Sequence, residues 1–171
     1  VARNNLGAVL FKMGQVDQAM VWIESALQYN PAFADAYLSL SNLFDSRGQS
    51  AEAIATLRRG LTHAPEDPRL AAQLAWLLAT TPQASLRQGQ EAVRLAQTAC
   101  DKTNFQDPQA LDALAAALDE TGRFSRAAET AQQALQLPIL VDHLELTAQI
   151  QNRLNLYKSK KPFRQHRTTT R

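Results

Sequence analysis

Side chains capable of chemistry are few in this sequence, and their spacing fits no catalytic or metal site. Cys100, the single cysteine, follows a small residue on a predicted helix, so we expect a packed thiol rather than a nucleophile. The acidic pair Asp119-Glu120 is expected in solvent at a helix end, without a second acid placed for acid–base catalysis. No cysteine and histidine share the spacing of metal ligands, and the three histidines stand at unrelated positions: His63, His143 and His166. We therefore predict no enzymatic activity, no metal and no cofactor.

The remaining candidates are side chains that bind rather than react. Asn and Gln carry both a donor and an acceptor, so a row of them can hydrogen-bond an extended peptide backbone with little sequence preference. A Trp in such a row has the profile of an interface hot spot. We assign eight residues to one binding wall: Asn5, Leu38, Asn42, Asp45, Arg69, Gln73, Trp76 and Asp112. Two alternatives stay open, a merely solvated face for the row and packing against a neighbouring loop for Trp76.

A repeating register of small residues indicates which elements would position this wall. Leu6-Gly7, Leu40-Ser41 and Leu74-Ala75 are spaced by 34 residues, and Leu114-Ala115 follows after 40. Behind each pair come two further small residues, seven positions apart: Ala19 and Ala26, Ala53 and Gly60, Ala92 and Ala99, Ala127 and Ala134. A fixed period of this size indicates stacked repeats, because one helix pair cannot bury its apolar face alone.

Each copy divides into two helical patterns joined by a tight turn. In the second copy, one helix face carries Tyr37, Leu40, Ser41 and Phe44, spaced as i, i+3, i+4 and i+7. Gly48 suits a left-handed position at the end of that helix. The small residues of the two patterns are expected to face each other, because antiparallel helices approach closely only where side chains are small.

This pattern resembles the tetratricopeptide repeat family over roughly residues 1–138. The first copy matches the family motif with Leu6, Gly7, Leu10, Ala19, Ile23, Ala26 and Pro31. The resemblance implies an all-α fold, a right-handed superhelical solenoid of four antiparallel helix pairs plus a C-terminal capping helix. It also implies a concave groove lined by the first helix of each pair. A clamp for a terminal carboxylate is disfavoured, because only Arg69 fits the basic and amide residues that such a clamp uses.

The predicted repeats are residues 1–33, with a truncated first helix, 34–67, 68–107 and 108–140. The third copy holds an insertion near residues 80–89. The stretch from Leu74 to Cys100 and the closing segment from Leu154 to Phe163 resemble the last repeats of large bacterial proteins of this family. In some of those proteins such repeats follow a membrane or glycosyltransferase region. We accordingly interpret the sequence as a fragment of a longer protein.

The C-terminal part of the sequence differs from the repeats in charge. Residues 153–171 contain seven of the 18 basic residues and none of the 16 acidic ones. Residues 141–160 are predicted to form the capping helix, with Leu144, Ala148 and 154–157 against the last repeat and Arg153 in water. The alternative interpretation of residues 141–160 is an amphipathic helix that binds a membrane. Residues 161–171 are expected to be a disordered basic tail, with anionic lipid or nucleic acid as the alternative contact.

The sequence thus predicts a non-catalytic scaffold that binds a protein or extended peptide in its groove. The alternative is the substrate-recruiting region of a larger, membrane-bound bacterial glycosyltransferase. No nucleic acid and no membrane insertion are expected within these 171 residues, and self-association through an open N-terminal end is a further prediction. The compartment, cytoplasmic or periplasmic, would depend on the sequence upstream.

Overall fold

Helix–turn–helix pairs make up the chain. The computed structural model describes residues 1–165, and no strand occurs among them. Within this range there are nine α-helices: α1 (Ala2–Lys12), α2 (Val16–Tyr29), α3 (Ala34–Ser46), α4 (Ser50–His63), α5 (Pro68–Thr80), α6 (Gly89–Lys102), α7 (Pro108–Glu120), α8 (Phe124–Leu135) and α9 (Leu144–Lys158). Short 3₁₀ turns lie at Ala84–Leu86 and Pro138–Asp142. The prediction of an all-α chain is confirmed.

The helices fall into two compact units. Unit 1 is Val1–Leu70, and unit 2 begins at Ala71. In unit 1, α1 packs on α2, α3 packs on α4, and α2 contacts α3. In unit 2, α6 packs on α7, α7 on α8, and α8 on α9. The contacts of α1 with α2, α3 with α4 and α7 with α8 join the two helices of one predicted pair, and the other three contacts join one predicted pair to the next helix.

A glycine with positive φ follows the first helix of three pairs, and the chain reverses its direction there. Gly14, Gly48 and Gly122 have φ of 77°, 73° and 75°. After α3, the amide of Gly48 donates to the Asp45 carbonyl at 2.8 Å and the amide of Gln49 donates to the Phe44 carbonyl at 2.9 Å. These two bonds satisfy carbonyls that the end of the helix leaves without partners. The following helix can therefore start only two residues after the glycine.

Small residues lie where the paired helices approach most closely. Ala19, Ala53, Ala92 and Ala127 are all 0% exposed. A Cβ on Gly7 would lie 2.5 Å from Cγ1 of Ile23, and a Cβ on Gly60 would lie 2.9 Å from Cγ of Tyr37. Distances this short leave no room for a larger side chain. The expected burial of this register is confirmed.

Leu6 is the exception, because it is exposed although its equivalents in the next two copies are buried. The helix α1 packs against α2 and α3. Val9 on the same helix and Met13, directly after it, are exposed as well. Among the described helices, none combines the length and the apolar composition that a membrane span requires.

We expect Ala53→Leu to destabilise the protein by about 1–3 kcal/mol, because three additional carbon atoms must fit into a tightly packed helix–helix interface. Ala55→Leu is the matched control, since Ala55 is exposed on the same helix. Urea unfolding of both variants measures the difference. Equal free energies of unfolding for the two variants would contradict the close approach of α3 and α4.

Candidate functional site

The predicted wall residues fall in both units, and unit 1 contains five of them. Asn5 and Asn42 are exposed, and Leu38 and Asp45 are half-buried. Asn42 and Asp45 are not free, because each has a polar or electrostatic partner. Amide and carboxylate groups on the surfaces of α1 and α3 are therefore accessible, as the predicted wall requires. Whether they bind a ligand stays a prediction.

Arg69, the fifth of these residues, is held by two carboxylates. Its guanidinium lies 2.6 Å from Asp35 and 2.7 Å from Asp67, and Asp67 also accepts the backbone amide of Arg69 at 2.9 Å. The hydrogen bond to Asp67 contributes most to raising the pKa of Arg69. Burial alone would raise the pKa of Asp67, but the hydrogen bonds and charge of Arg69 outweigh it and hold that pKa below its usual value. The side chain thus stabilises the start of α5, and an anionic ligand would have to compete with both acids.

In unit 2, Asp112 lies inside the protein rather than on an open wall. Its side chain is 7% exposed and binds Arg153 of α9 through two parallel bonds, Nε to Oδ1 at 2.8 Å and Nη2 to Oδ2 at 2.5 Å. The expectation that Arg153 faces water is wrong. The helix α9 buries Leu154 and Tyr157 as expected, but it also buries Ile150 and Arg153 and leaves Leu144 and Ala148 exposed. A planar guanidinium forms two parallel hydrogen bonds with a carboxylate, which no apolar side chain can do. This pairing explains why Arg153 is buried on α9.

Trp76 forms an aromatic and cationic cluster with the C-terminal part of the chain. The Arg153 guanidinium lies 4.9 Å from the centre of the Trp76 ring. The Phe163 ring lies 5.6 Å from the same ring, tilted by 40°, and 5.4 Å from the guanidinium. Trp76 is half-buried as a result. Arg153 of α9 and Phe163 after it are therefore partners of the Trp76 ring.

Residues 161–165, which we call the C-terminal segment, lie against α5 and α7. The amide of Phe163 donates to Oδ2 of Asp119 at 2.9 Å, and the amide of Gln165 donates to the Thr80 carbonyl at 3.0 Å. The guanidinium of Arg164 is 2.6 Å from Glu120. Disorder was expected from residue 161 onward, and these contacts contradict it for residues 163–165. Residues 166–171 of that expectation lie outside the described residues.

Glu120 connects the C-terminal segment with the insertion of the third copy. Arg87, from the insertion, donates to Glu120 at 3.1 Å and to the Thr81 carbonyl at 3.1 Å. The carboxylate of Glu120 therefore lies between two guanidinium groups. The expectation that Asp119 and Glu120 are solvated is wrong, since Asp119 is 3% exposed and Glu120 is half-buried. The basic residues that follow α9 provide the charge that makes this burial possible.

Burial changes the acidity of several groups in unit 2. It raises the pKa of Asp112 to about 6, against the charge and hydrogen bonds of Arg153. It raises the pKa of Asp119 to about 6 as well, against the Phe163 amide and Arg164. Burial also raises the pKa of Tyr157 and lifts that of Cys100 to about 12. The buried Cys100 thiol therefore stays protonated at neutral pH, as expected for a packed cysteine.

Comparison with known proteins supports the repeat assignment. Residues 10–77 match the family model of the tetratricopeptide repeat. The comparison therefore shows tetratricopeptide repeats within residues 10–77. No curated protein matches it by sequence.

Three solved structures share the fold of this chain. A crystal structure of MamA is 16% identical with a TM-score of 0.63, over 93% of this chain and 87% of that one. PilF of Pseudomonas aeruginosa is 18% identical with a TM-score of 0.68, over 93% and 73%. YrrB, a tetratricopeptide-repeat protein with an unusual peptide-binding site, is 18% identical with a TM-score of 0.62, over 94% and 79%. At these identities the likeness shows the fold alone.

Sequence reasoning missed most of the residues that meet in unit 2. Trp76 and Asp112 were assigned to the wall, but Arg153 and Phe163 were not recognised as their partners. A signal was present in the charge pattern. The acids Asp119 and Glu120 close α7, and every charged residue after Glu145 is basic. Gln73, the remaining predicted wall residue, is half-buried in unit 2 and has a polar or electrostatic partner.

We expect Asp112→Leu to destabilise the protein by about 3–5 kcal/mol, because it leaves the Arg153 charge buried without a partner. The double variant Asp112→Leu/Arg153→Met should recover most of this loss, since it removes both charges and retains apolar volume. Urea unfolding of wild type, both single variants and the double variant gives the coupling between the two residues. Additive effects of the two substitutions would rule out the pair as a stabilising contact.

The raised pKa of Asp119 predicts a pH-dependent stability. Between the unfolded pKa of 3.8 and the folded pKa of about 6, the folded protein holds a proton at Asp119 that the unfolded chain releases. The contribution of this group to the free energy of unfolding therefore falls as the pH rises through about 6. Urea unfolding across this range gives the free energy of unfolding of wild type and of Asp119→Asn. The value for wild type minus the value for the variant should decrease as the pH rises. A constant or increasing difference would show that Asp119 stays ionised in the folded protein.

Proposed function

We propose that the chain is a non-catalytic scaffold that binds an extended segment of another protein on the surfaces of its first helices. One observation carries this proposal. In unit 2, a segment without regular secondary structure, residues 161–165, already lies against α5 and α7. The protein therefore has a surface with the chemistry to hold an extended chain.

This surface uses the three kinds of contact by which proteins bind peptides. The amides of Phe163 and Gln165, two residues apart, donate to groups of the first helices, which is the pattern of an extended chain on one surface. The Phe163 ring packs on Trp76, and the Arg164 charge meets Glu120. Main-chain hydrogen bonds supply affinity in such complexes, and side-chain subsites supply specificity.

In unit 1 we propose the same role for the surface that carries Asn5, Leu38, Asn42 and Asp45. Its exposed amides offer donors and acceptors to a peptide backbone. YrrB, which shares the fold, is a tetratricopeptide-repeat protein with a peptide-binding site, and this agrees with the proposal. The alternative of a recruiting region in a larger glycosyltransferase concerns sequence outside these residues. Self-association through the exposed apolar residues of α1 stays a prediction.

A peptide library tests the proposed function. The wild-type chain should retain a set of extended peptides with micromolar affinity, since an extended ligand loses entropy on ordering. Asn42→Ala should lose the peptides that bind unit 1, and Trp76→Ala should lose those that bind unit 2. Trp22→Ala is the matched control, because Trp22 is an exposed tryptophan on α2, a second helix, and should retain both sets.

The thermal midpoint of each variant separates a lost contact from a lost fold. Retention of the same peptides by wild type, Asn42→Ala and Trp76→Ala, with all three folded, would reject binding on the first helices. If wild type retains no peptide, the proposed function is rejected.

A further inference from the structure

Resting on the proposed function, we propose that the unit 2 surface selects peptides with an aromatic residue followed directly by arginine. The C-terminal segment is then a tethered ligand that such a partner displaces. The chemistry of three adjacent subsites on α5, α7 and α9 leads to this preference.

The first subsite takes a planar ring. Trp76 and the Arg153 guanidinium both contact Phe163, at 5.6 Å and 5.4 Å. Arg153 cannot turn away, because Asp112 binds it through both oxygens in a buried position. A fixed cation attracts the face of an aromatic ring and gains nothing comparable from an aliphatic side chain. The buried pair thus positions the guanidinium for a ring and does more than hold α9 in place.

The second subsite takes a guanidinium. Glu120 lies 2.6 Å from Arg164 and accepts a bond from Arg87 on its other oxygen. Arg164 also donates to the Phe163 carbonyl at 2.6 Å. A guanidinium can meet the carboxylate and the carbonyl together, because it carries several donors in one plane. Lysine offers a single ammonium group to these two acceptors and should bind less well.

The third set of contacts fixes where the aromatic residue lies along the surface. Asp119 accepts the amide of the aromatic residue, and the Thr80 carbonyl accepts the amide two residues later. Proline at either position would remove a donor. The preferred ligand is therefore an aromatic residue and an arginine, followed by any residue other than proline.

The C-terminal segment fulfils these requirements from within the chain. It follows the end of α9 after only two residues, so its local concentration at the surface is on the order of millimolar. A free peptide must compete with it, and its apparent affinity is reduced by the fraction of protein whose surface is covered. Weakening the segment should therefore increase affinity for the same sequence supplied separately.

A labelled peptide tests this directly. Its sequence is Ser-Lys-Lys-Pro-Phe-Arg-Gln, that of residues 159–165, and binding is followed by fluorescence anisotropy. The 171-residue variant Phe163→Ala/Arg164→Ala should bind it at least tenfold more tightly than wild type does. The matched control is Arg126→Ala/Lys158→Ala, which removes two exposed charges of unit 2 outside the C-terminal segment and should bind like wild type. Equal affinity for all three proteins would overturn the tethered-ligand proposal.

Variants of the peptide test the selectivity on the same double variant. Replacing its Phe by Leu, or its Arg by Lys, should weaken binding at least tenfold, and Trp76→Ala in the same background should do so too. Unchanged binding of the Leu or Lys peptide would overturn the aromatic–arginine preference. The thermal midpoint of each protein variant shows that unit 2 stays folded.

The peptide library, applied to the double variant, separates this inference from the proposed function. Recovery of peptides enriched in an aromatic residue followed by arginine supports both. Recovery of Trp76-dependent peptides without that pair rejects the inference and retains the function. If neither wild type nor the double variant retains any peptide, both are rejected.

Discussion

Two helices can pack along each other only as closely as the largest side chains between them allow. In this chain the limit is set by alanine and glycine, which recur at matching positions of successive pairs. Ala53 is fully buried, and Gly60 lies against the ring of Tyr37 with no room for a Cβ. Because the approach is so close, the second helix of each pair fixes the orientation of the first, and with it the side chains that reach the outer surface. The candidate binding residues all depend on this geometry.

In unit 2 a second constraint acts on top of the first. Asp112 and Arg153 are both buried, and neither charge is tolerable there without the other. Their pairing determines which face of α9 meets the repeats, and so directs the chain after α9 towards α5 and α7. The same guanidinium then lies over Trp76 and beside Phe163. One buried ion pair thereby links the capping helix, the first-helix surface and the C-terminal segment.

The fold could be predicted largely from the sequence, because its signals are local and periodic. A turn that reverses the chain within two residues favours a glycine with positive φ, and Gly48 occupies that position as expected. The candidate site was predictable only in part. Trp76 was recognised as an aromatic on a first helix, and the burial of Leu154 and Tyr157 was predicted correctly. Leu144 and not Arg153 was expected to be buried on α9, since an amphipathic pattern favours leucine over arginine as a buried residue. An isolated pattern gives no sign that Arg153 has a carboxylate partner 41 positions earlier.

The sequence by itself determined the helix pairs, the turns between them and the contacts of small residues, because each of these depends on residues near one another in the chain and repeats at a fixed period. Only the tertiary structure decided where Asp112, Asp119 and Glu120 lie and what they bind. Their partners are distant in sequence, either in the C-terminal part of the chain or, for Arg87, 33 residues before Glu120, and a charge is buried or solvated according to whether an opposite charge reaches it. That outcome depends on how α8 and α9 pack, which no local pattern specifies.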